Sequence, residues 1–327
     1  MCDSSCEKDS GRRMSDVSVV VLTRNRCSDL KRCLDSIFAQ TYKGAQIVVI
    51  DNGSSDGTLD LLGQYQVKVI EDRTHKLSFL FNLAWRSASG DYIAFIADDA
   101  EADPAWLETG VSVLESAQDV AAVGGPTIST RKQTMHSLYE RSRESVFLRV
   151  FGRIYERIVM EDSLFALGRL AESGAYSMGA GLPLALSLDA PIEVDLLTTT
   201  NMIVRREVIE TLGGFDENFL FNHADGDLFV RMKRTGYRIV FHPRVKVSHF
   251  VRPSASREVY YIARDTGYFI AKDVRPRMAS GWLRVLLNVS YLNSYWIYRA
   301  FQSRDPKSLV GLWAFFKGMT DWLKTPK

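Results

Sequence analysis

Five short apolar runs punctuate the first 125 residues, and between them apolar positions return every three or four residues. Val17–Leu22 is a β-branched run of strand length, the pattern of a strand buried on both faces. Leu30, Leu34, Ile37 and Phe38 then fall on one side of a helix, with Ser28-Asp29 placed to cap it. Gln46–Ile50 predicts a second strand, and the polar, glycine-bearing stretch Asp51–Gly57 opens a helix at Thr58–Leu62. Val67–Ile70, Tyr92–Ile96 and Val120–Val123 predict three more strands, with helices at Leu77–Ala88 and, after Pro104, around Trp106, Leu107, Val111 and Leu114. Strands alternating with helices of this length predict an α/β fold with an open, mostly parallel sheet flanked by helices. Ligands of such sheets bind outside the carboxyl ends of the strands. Thr23–Asn25, Asp51–Asp56 and Asp98-Asp99 therefore converge on one rim.

The rhythm breaks over residues 127–200, where a charged, aromatic helix-like block (His136–Tyr155) precedes a Gly/Ala/Leu-rich stretch (Gly168–Ala190). Such a long insertion suits shaping a pocket better than continuing the sheet. Regularity returns with strand Met202–Val204, helix Arg206–Leu212, a Gly213–Glu217 turn, helix Asp225–Arg234, and strands Arg238–Phe241 and Val245–Ser248. Four segments follow: a tail over 1–15, an alternating half over 16–126, a second half over 127–250 that includes the insertion, and a helical extension over 251–327.

The 327 residues are 46% hydrophobic and 24% charged, which excludes a collagen-like, disordered or disulfide-stapled chain. Four cysteines in the first tenth of the sequence, without a C-x-x-C, fit free thiols in a reducing cytosol. The first residues lack the apolar core of a secretory leader and predict a frayed tail. The most apolar stretch, Trp282–Phe301, is interrupted by Arg284 and Arg299 and falls short of a membrane span. The net charge of +2 conceals a division: residues 228–327 carry 19 of the 41 basic side chains but only 5 of the 39 acidic ones. An anionic partner or surface for this basic third follows from that asymmetry.

Candidate chemistry lies at strand and helix ends. Asp98-Asp99 places two carboxylates side by side, which suits either a hard divalent cation bridging to phosphate or a solvated loop capping the next helix. Asp51 can accept hydrogen bonds from a nucleobase or ribose, or form an Asx-turn. Asp225 and Asp227 open a helix, where Asp225 can cap it and Asp227 stabilise its first turn. His249 ends a strand as a ligand or as a packed residue. Neither a G-x-G-x-x-G nor a Walker loop occurs.

Taken in order, Val19–Arg26, Val48–Thr58, Gly90–Asp99, Gly213–Glu217, Asp225–Arg231, Gly236-Tyr237 and Val247–His249 resemble the inverting glycosyltransferases of family 2, which have the GT-A fold. The resemblance implies transfer of a sugar from a nucleotide-diphosphate donor to a hydroxyl of a glycan or lipid-linked acceptor. It implies that Thr23, Asn25, Asp51, Gly53, Asn82 and Asp98 bind the nucleotide sugar. Asp99 and His249, with Asp98, would hold Mg²⁺ or Mn²⁺, and Asp225 would be the base, with Asp227 as second choice. Three positions depart from the family pattern: Ala97 where many members have an acid, Phe81 where many have Arg, and Ala224 where Glu often precedes the base. A sugar-1-phosphate nucleotidyltransferase and a silent nucleotide-sugar-binding scaffold are the alternatives.

Beyond His249 the resemblance fades. Helical patterns starting at Glu258, Trp282 and Leu309 carry apolar and aromatic faces flanked by Arg and Lys. These suit an anionic lipid surface, and hence a cytoplasmic protein peripheral on the membrane's cytoplasmic face, or packing on the catalytic domain. The aromatics lie at helical spacing rather than on a stacking platform, so no nucleic-acid partner is expected.

Overall fold

The computed structural model describes residues 16–74, 76–129, 150, 152–178, 183–250, 259–303 and 309–325. Its elements, in chain order, are β1 (Val17–Thr23), α1 (Cys27–Phe38), β2 (Gln46–Asp51), α2 (Thr58–Leu62), β3 (Lys68–Glu71), α3 (Leu77–Ser87) and β4 (Tyr92–Ala97). Next come β5 (Ala100–Ala102), α4 (Trp106–Ser116), β6 (Val120–Gly124), β7 (Thr127–Ser129), a π-helical turn (Tyr155–Val159), β8 (Arg169–Leu170), β9 (Tyr176–Ser177), α5 (Pro183–Leu186) and β10 (Ile192–Val194). The chain closes with β11 (Asn201–Arg205), α6 (Arg206–Thr211), α7 (Ala224–Arg234), β12 (Arg238–Phe241), β13 (Val247–His249), α8 (Val259–Asp273), α9 (Ala279–Ser303) and α10 (Val310–Lys324).

Eight strands form the main sheet in the order β10-β12-β6-β11-β4-β1-β2-β3. Pairing is parallel except where β11 lies antiparallel to β4 and β6, and β10 antiparallel to β12. Buried valines, isoleucines and alanines make β1, β4 and β6 central, and apolar clusters cover both faces of the sheet. Register then sets the rim. Thr23 pairs with Asp51 and Leu22 with Ala97, so the ends of β1, β2 and β4 lie at one level.

Three expectations change. Helix α1 begins at Cys27, ahead of the expected Ser28-Asp29 cap, because Asp56 accepts from the Cys27 N–H at 3.1 Å. An acid from a neighbouring loop does the work of a local cap. The last strand runs Val247–His249, since Val245 is held in a turn by its N–H bond to the His242 carbonyl. The 127–200 insertion does add to the sheet: Ile192–Val194 becomes its edge strand against β12. Three alternating residues were too few to signal a strand. Most of the helix-like block at 136–155 lies outside the described residues.

The carboxyl-terminal helices are part of the fold. Tyr268, Phe269, Ile270, Val274, Val285 and Phe315 belong to the same buried cluster as strands β4 and β11. Helices α8 and α10 touch backbone to backbone. A Cβ on Gly318 would stand 1.8 Å from the Arg264 carbonyl oxygen, and one on Gly267 would stand 2.0 Å from that of Phe315. Only glycine fits at either position.

Candidate active site

Asp51 ends β2 wholly buried. One of its oxygens accepts the Ser54 N–H at 2.9 Å, an Asx-type turn that shapes the glycine-bearing loop after the strand. Its Oδ1 is buried without a hydrogen-bond partner among the described residues. One oxygen thus makes the Asx-turn read from the sequence, and the other is an open acceptor. Asn25, in the left-handed region at φ 52°, joins this loop from β1. Its N–H donates to Ser54 Oγ at 2.9 Å and its Oδ1 accepts from the Ser55 N–H at 2.7 Å. Gly53 turns the same loop at φ 74°.

Asp98 and Asp99 follow β4 directly. Burial pushes Asp98 up to about 6, against the pull of Arg26 and the Thr23 hydroxyl. For Asp99, burial acts in the same sense, but His249 and Arg26 outweigh it and its carboxyl lies below the usual range. The three-stranded sheet β5-β13-β7 makes this pairing, since its register sets His249 opposite Ala100. His249 Nε2 and Asp99 Oδ1 stand 3.0 Å apart. Two ligands at adjacent corners of an octahedral Mg²⁺ or Mn²⁺ site, each about 2.1 Å from the ion, would lie about 3.0 Å from one another. The spacing is that of the hydrogen-bonded pair itself, and the same two atoms could turn to a hard cation that takes its remaining ligands from phosphate and water. Among the described residues no group of three or more His, Cys, Asp or Glu side chains gathers around a common point.

Arg26 was not singled out from the sequence, although it closes the Val19–Arg26 run. Its guanidinium bonds to the second oxygen of Asp99 and lies 3.8 Å from Asp98. It thus supplies the positive charge that the two adjacent carboxylates require.

Asp225 is tethered to the same rim. The Ala97 N–H bonds to the Thr200 carbonyl at 3.4 Å, and the Thr199 N–H reaches Asp225 Oδ2 at 3.4 Å. Burial raises the Asp225 carboxyl, and no ion pair holds it among the described residues. Asp227 differs: it is fully buried, bridged to Arg231 at 2.7 Å and bonded to Lys272. Of the two acids on this turn, only Asp225 has a carboxylate not neutralised by a neighbouring cation.

Two further residues surround Asp225 and carried no sequence signal. His223 caps α7 in the left-handed region at φ 64°, stacked on Phe269, and burial lowers it to about 4. Tyr176, from the insertion, packs its ring edge-on to His223 at 5.3 Å. Burial and the charge of Asp225 raise it to about 12. The irregular segment thus brings an aromatic side chain beside the candidate base.

Asn82 departs from its expected place at the nucleotide sugar. Its amide donates to the Phe215 carbonyl and to Glu217, and its oxygen accepts from Trp85 Nε1 and the Phe215 N–H, all within 2.7–2.9 Å. With every hydrogen-bonding capacity used, it secures the Gly213–Glu217 turn instead.

Comparison with known proteins agrees with this geometry. The glycosyl transferase family 2 model matches residues 18–170. The O-antigen biosynthesis protein RfbC of Myxococcus xanthus is 28% identical over 248 residues, which are 74% of this chain and 18% of RfbC. Glycosyltransferase AglE of Haloferax volcanii is 26% identical over 245 residues, 72% of this chain and 67% of AglE. The chain thus spans about two thirds of AglE but under a fifth of RfbC. Among solved structures, the mannosyltransferase PcManGT of Pyrobaculum calidifontis, in complex with GDP-Man and Mn²⁺, superposes with a TM-score of 0.56 at 18% identity, covering 96% of this chain and 76% of its own. At that identity the likeness speaks for the fold. Residues 18–170 of this chain thus match the glycosyl transferase family 2 model, and the chain has the GT-A fold.

Proposed function

We propose that the chain is an inverting glycosyltransferase, moving a sugar from a nucleotide-diphosphate donor to a hydroxyl of a glycan or lipid-linked acceptor. The observation that carries this reading is the tether through Thr199-Thr200, which joins Asp225 to the rim bearing Asp98 and Asp99. A proton acceptor and a set of diphosphate-facing groups then serve one reacting centre. Asp51 Oδ1, the open acceptor, takes a hydrogen bond from the base or ribose. Thr23, Asn25 and Gly53 shape that pocket, and Asp98 borders it.

Asp225, its pKa raised by burial, is suited to take the proton of an acceptor hydroxyl as the oxygen attacks the anomeric carbon. The acceptor C–O bond forms as the bond to the departing diphosphate breaks, so a single displacement inverts the centre. Asp99 and His249, with Asp98 beside them, would hold Mg²⁺ or Mn²⁺. That ion supplies, when bound, compensation for charge on the leaving group. Arg26 stands where it can add to this compensation. Tyr176 lines the acceptor side.

A thermal-shift panel of nucleoside-diphosphate sugars, with and without Mn²⁺, tests the reading. One donor should raise the melting temperature strongly, and only with the metal. A nucleotidyltransferase would instead respond to a nucleoside triphosphate and release diphosphate. Absence of a shift with every donor would overturn the proposal.

A further inference from the structure

Helix α9 is about 37 Å long, at 1.5 Å per residue over its 25 residues. Its inner side is committed: Val285 and Asn288 are buried, and Tyr291 stacks on Tyr155 at 4.0 Å. Its outer side is apolar and bare. Trp282, Leu283, Leu286, Leu287, Ile297 and Phe301 are all exposed, Leu286 by 63% and Phe301 by 86%. On the helical wheel these six spread over roughly 140°, a broad face rather than scattered residues. Ser290 and Ser294 interrupt the row, and both turn their hydroxyls back onto the helix. Ser290 donates to the Leu286 carbonyl at 2.8 Å and Ser294 to that of Tyr291 at 2.7 Å. These two hydroxyls are therefore already paired within the helix, and Asn293, in the same arc, is buried.

Charge identifies what covers such a face. Helix α9 contains no acidic residue. Arg275 and Arg277 are exposed just before it, beside an exposed Met278. Of the five acids in residues 228–327, Asp265 and Asp273 are buried and Asp321 is bridged by Arg264 and Lys317. Other basic residues of this third are paired with acids, Arg238 with Asp119, Lys272 with Asp216 and Arg284 with Glu161, which leaves Arg275 and Arg277 beside α9 without an acidic partner among the described residues. A second copy of the chain would set two such positive segments against each other, whereas an anionic bilayer complements both the charge and the apolar stripe. No helix among the described residues is long and apolar enough to cross a membrane, so the stripe lies along a surface.

We propose that the outer face of α9 docks the protein flat on an anionic lipid bilayer, with Trp282, Leu283, Leu286 and Phe301 entering the interface. The proposal does not depend on the enzymatic reading, because its test uses no donor or acceptor. The full chain is floated with vesicles of phosphatidylglycerol mixed with phosphatidylcholine, and with vesicles of phosphatidylcholine alone. It should float with the anionic vesicles, less at high salt, and about tenfold less with neutral ones. The double variant Leu283→Glu/Leu286→Glu should lose at least tenfold in the bound fraction while keeping its far-ultraviolet circular dichroism and melting temperature. Should it unfold, Leu286→Ser/Phe301→Ser serves the same end. Flotation of a folded variant at the wild-type level would overturn the proposal, as would absence of wild-type binding to anionic vesicles. So would a wild-type dimer in light scattering that the double variant converts to monomer, since a second copy would then own the face.

Discussion

Asp225 and Asp227 stand two residues apart on one helical turn, yet their surroundings give them different work. Asp225 has two backbone N–H partners and a carboxyl raised by burial, whereas Asp227 is closed in by Arg231 and Lys272. Asp225→Asn should lower transfer by about 10²–10⁴-fold, the usual loss of a general base, with donor affinity unchanged in calorimetry. Asp227→Asn should act on the fold instead. It takes the acid from Arg231 and one of the two acids from Lys272, costing on the order of 3 kcal/mol in urea unfolding, the low end for a buried pair because both cations keep some solvent contact and Lys272 keeps Asp216. His223 adds a pH signature. Its folded value of about 4 lies below the ordinary 6.5, so the unfolded chain binds the proton more readily. Stability from this residue is present above pH 6.5 and is lost as the pH falls toward 4. Unfolding at pH 7 and pH 4.5 should show wild type losing about 2–3 kcal/mol more than His223→Asn, a residue that tolerates the same left-handed backbone. Asp51, Asp98, Asp99, Asp225 and His249 were legible as candidates because each stands at the end or start of a patterned element and their order resembles a family's motifs. Arg26, His223 and Tyr176 could not, since only tertiary packing brings them to those acids. Asn82 misled for the same reason in reverse: its neighbours at 213–217 are distant in sequence and fill it completely.

Between elements, the decisive contact is one carboxylate. Asp265, buried on α8, accepts the N–H groups of Leu220, Phe221 and Asn222 at 2.9, 2.7 and 2.9 Å. These residues lead into His223 and Asp225, so α8 sets where the helix of the candidate base begins. Its other oxygen is held by Arg264, which also reaches the Asn218 carbonyl. Asp265→Ala would leave three donors without their acceptor and should cost about 3 kcal/mol or more, together with a fall in transfer rate at unchanged donor affinity. Asp265→Asn keeps acceptor oxygen in place and should recover much of both. The family pattern ends near His249, so nothing in the sequence tied α8 to the site. The link is a hydrogen-bonded loop, which leaves no periodic trace.

Across the whole molecule, the alternating pattern of the first 125 residues accounts for five of the eight strands of the main sheet, because strands buried on both faces read as unbroken apolar runs. The carboxyl-terminal third was legible as amphipathic helices but not as part of the same core, since a helix face does not name its partner. The charge division noted in the sequence survives as a spatial one. Acids gather at the rim, and the exposed Arg275 and Arg277 stand just before the bare face of α9.

The glycine pair between α8 and α10 carries this coupling to its limit. With the backbones in direct contact, no side chain cushions the joint, and one methyl group acts as a wedge. Gly318→Ala should cost about 2–3 kcal/mol in thermal unfolding, although it touches no candidate catalytic atom. Such a lesion would tilt α8, draw Asp265 from its loop and misplace Asp225 as the temperature rises. The expected phenotype is a heat-sensitive enzyme that still binds its donor, a conditional allele written far from the chemistry it silences.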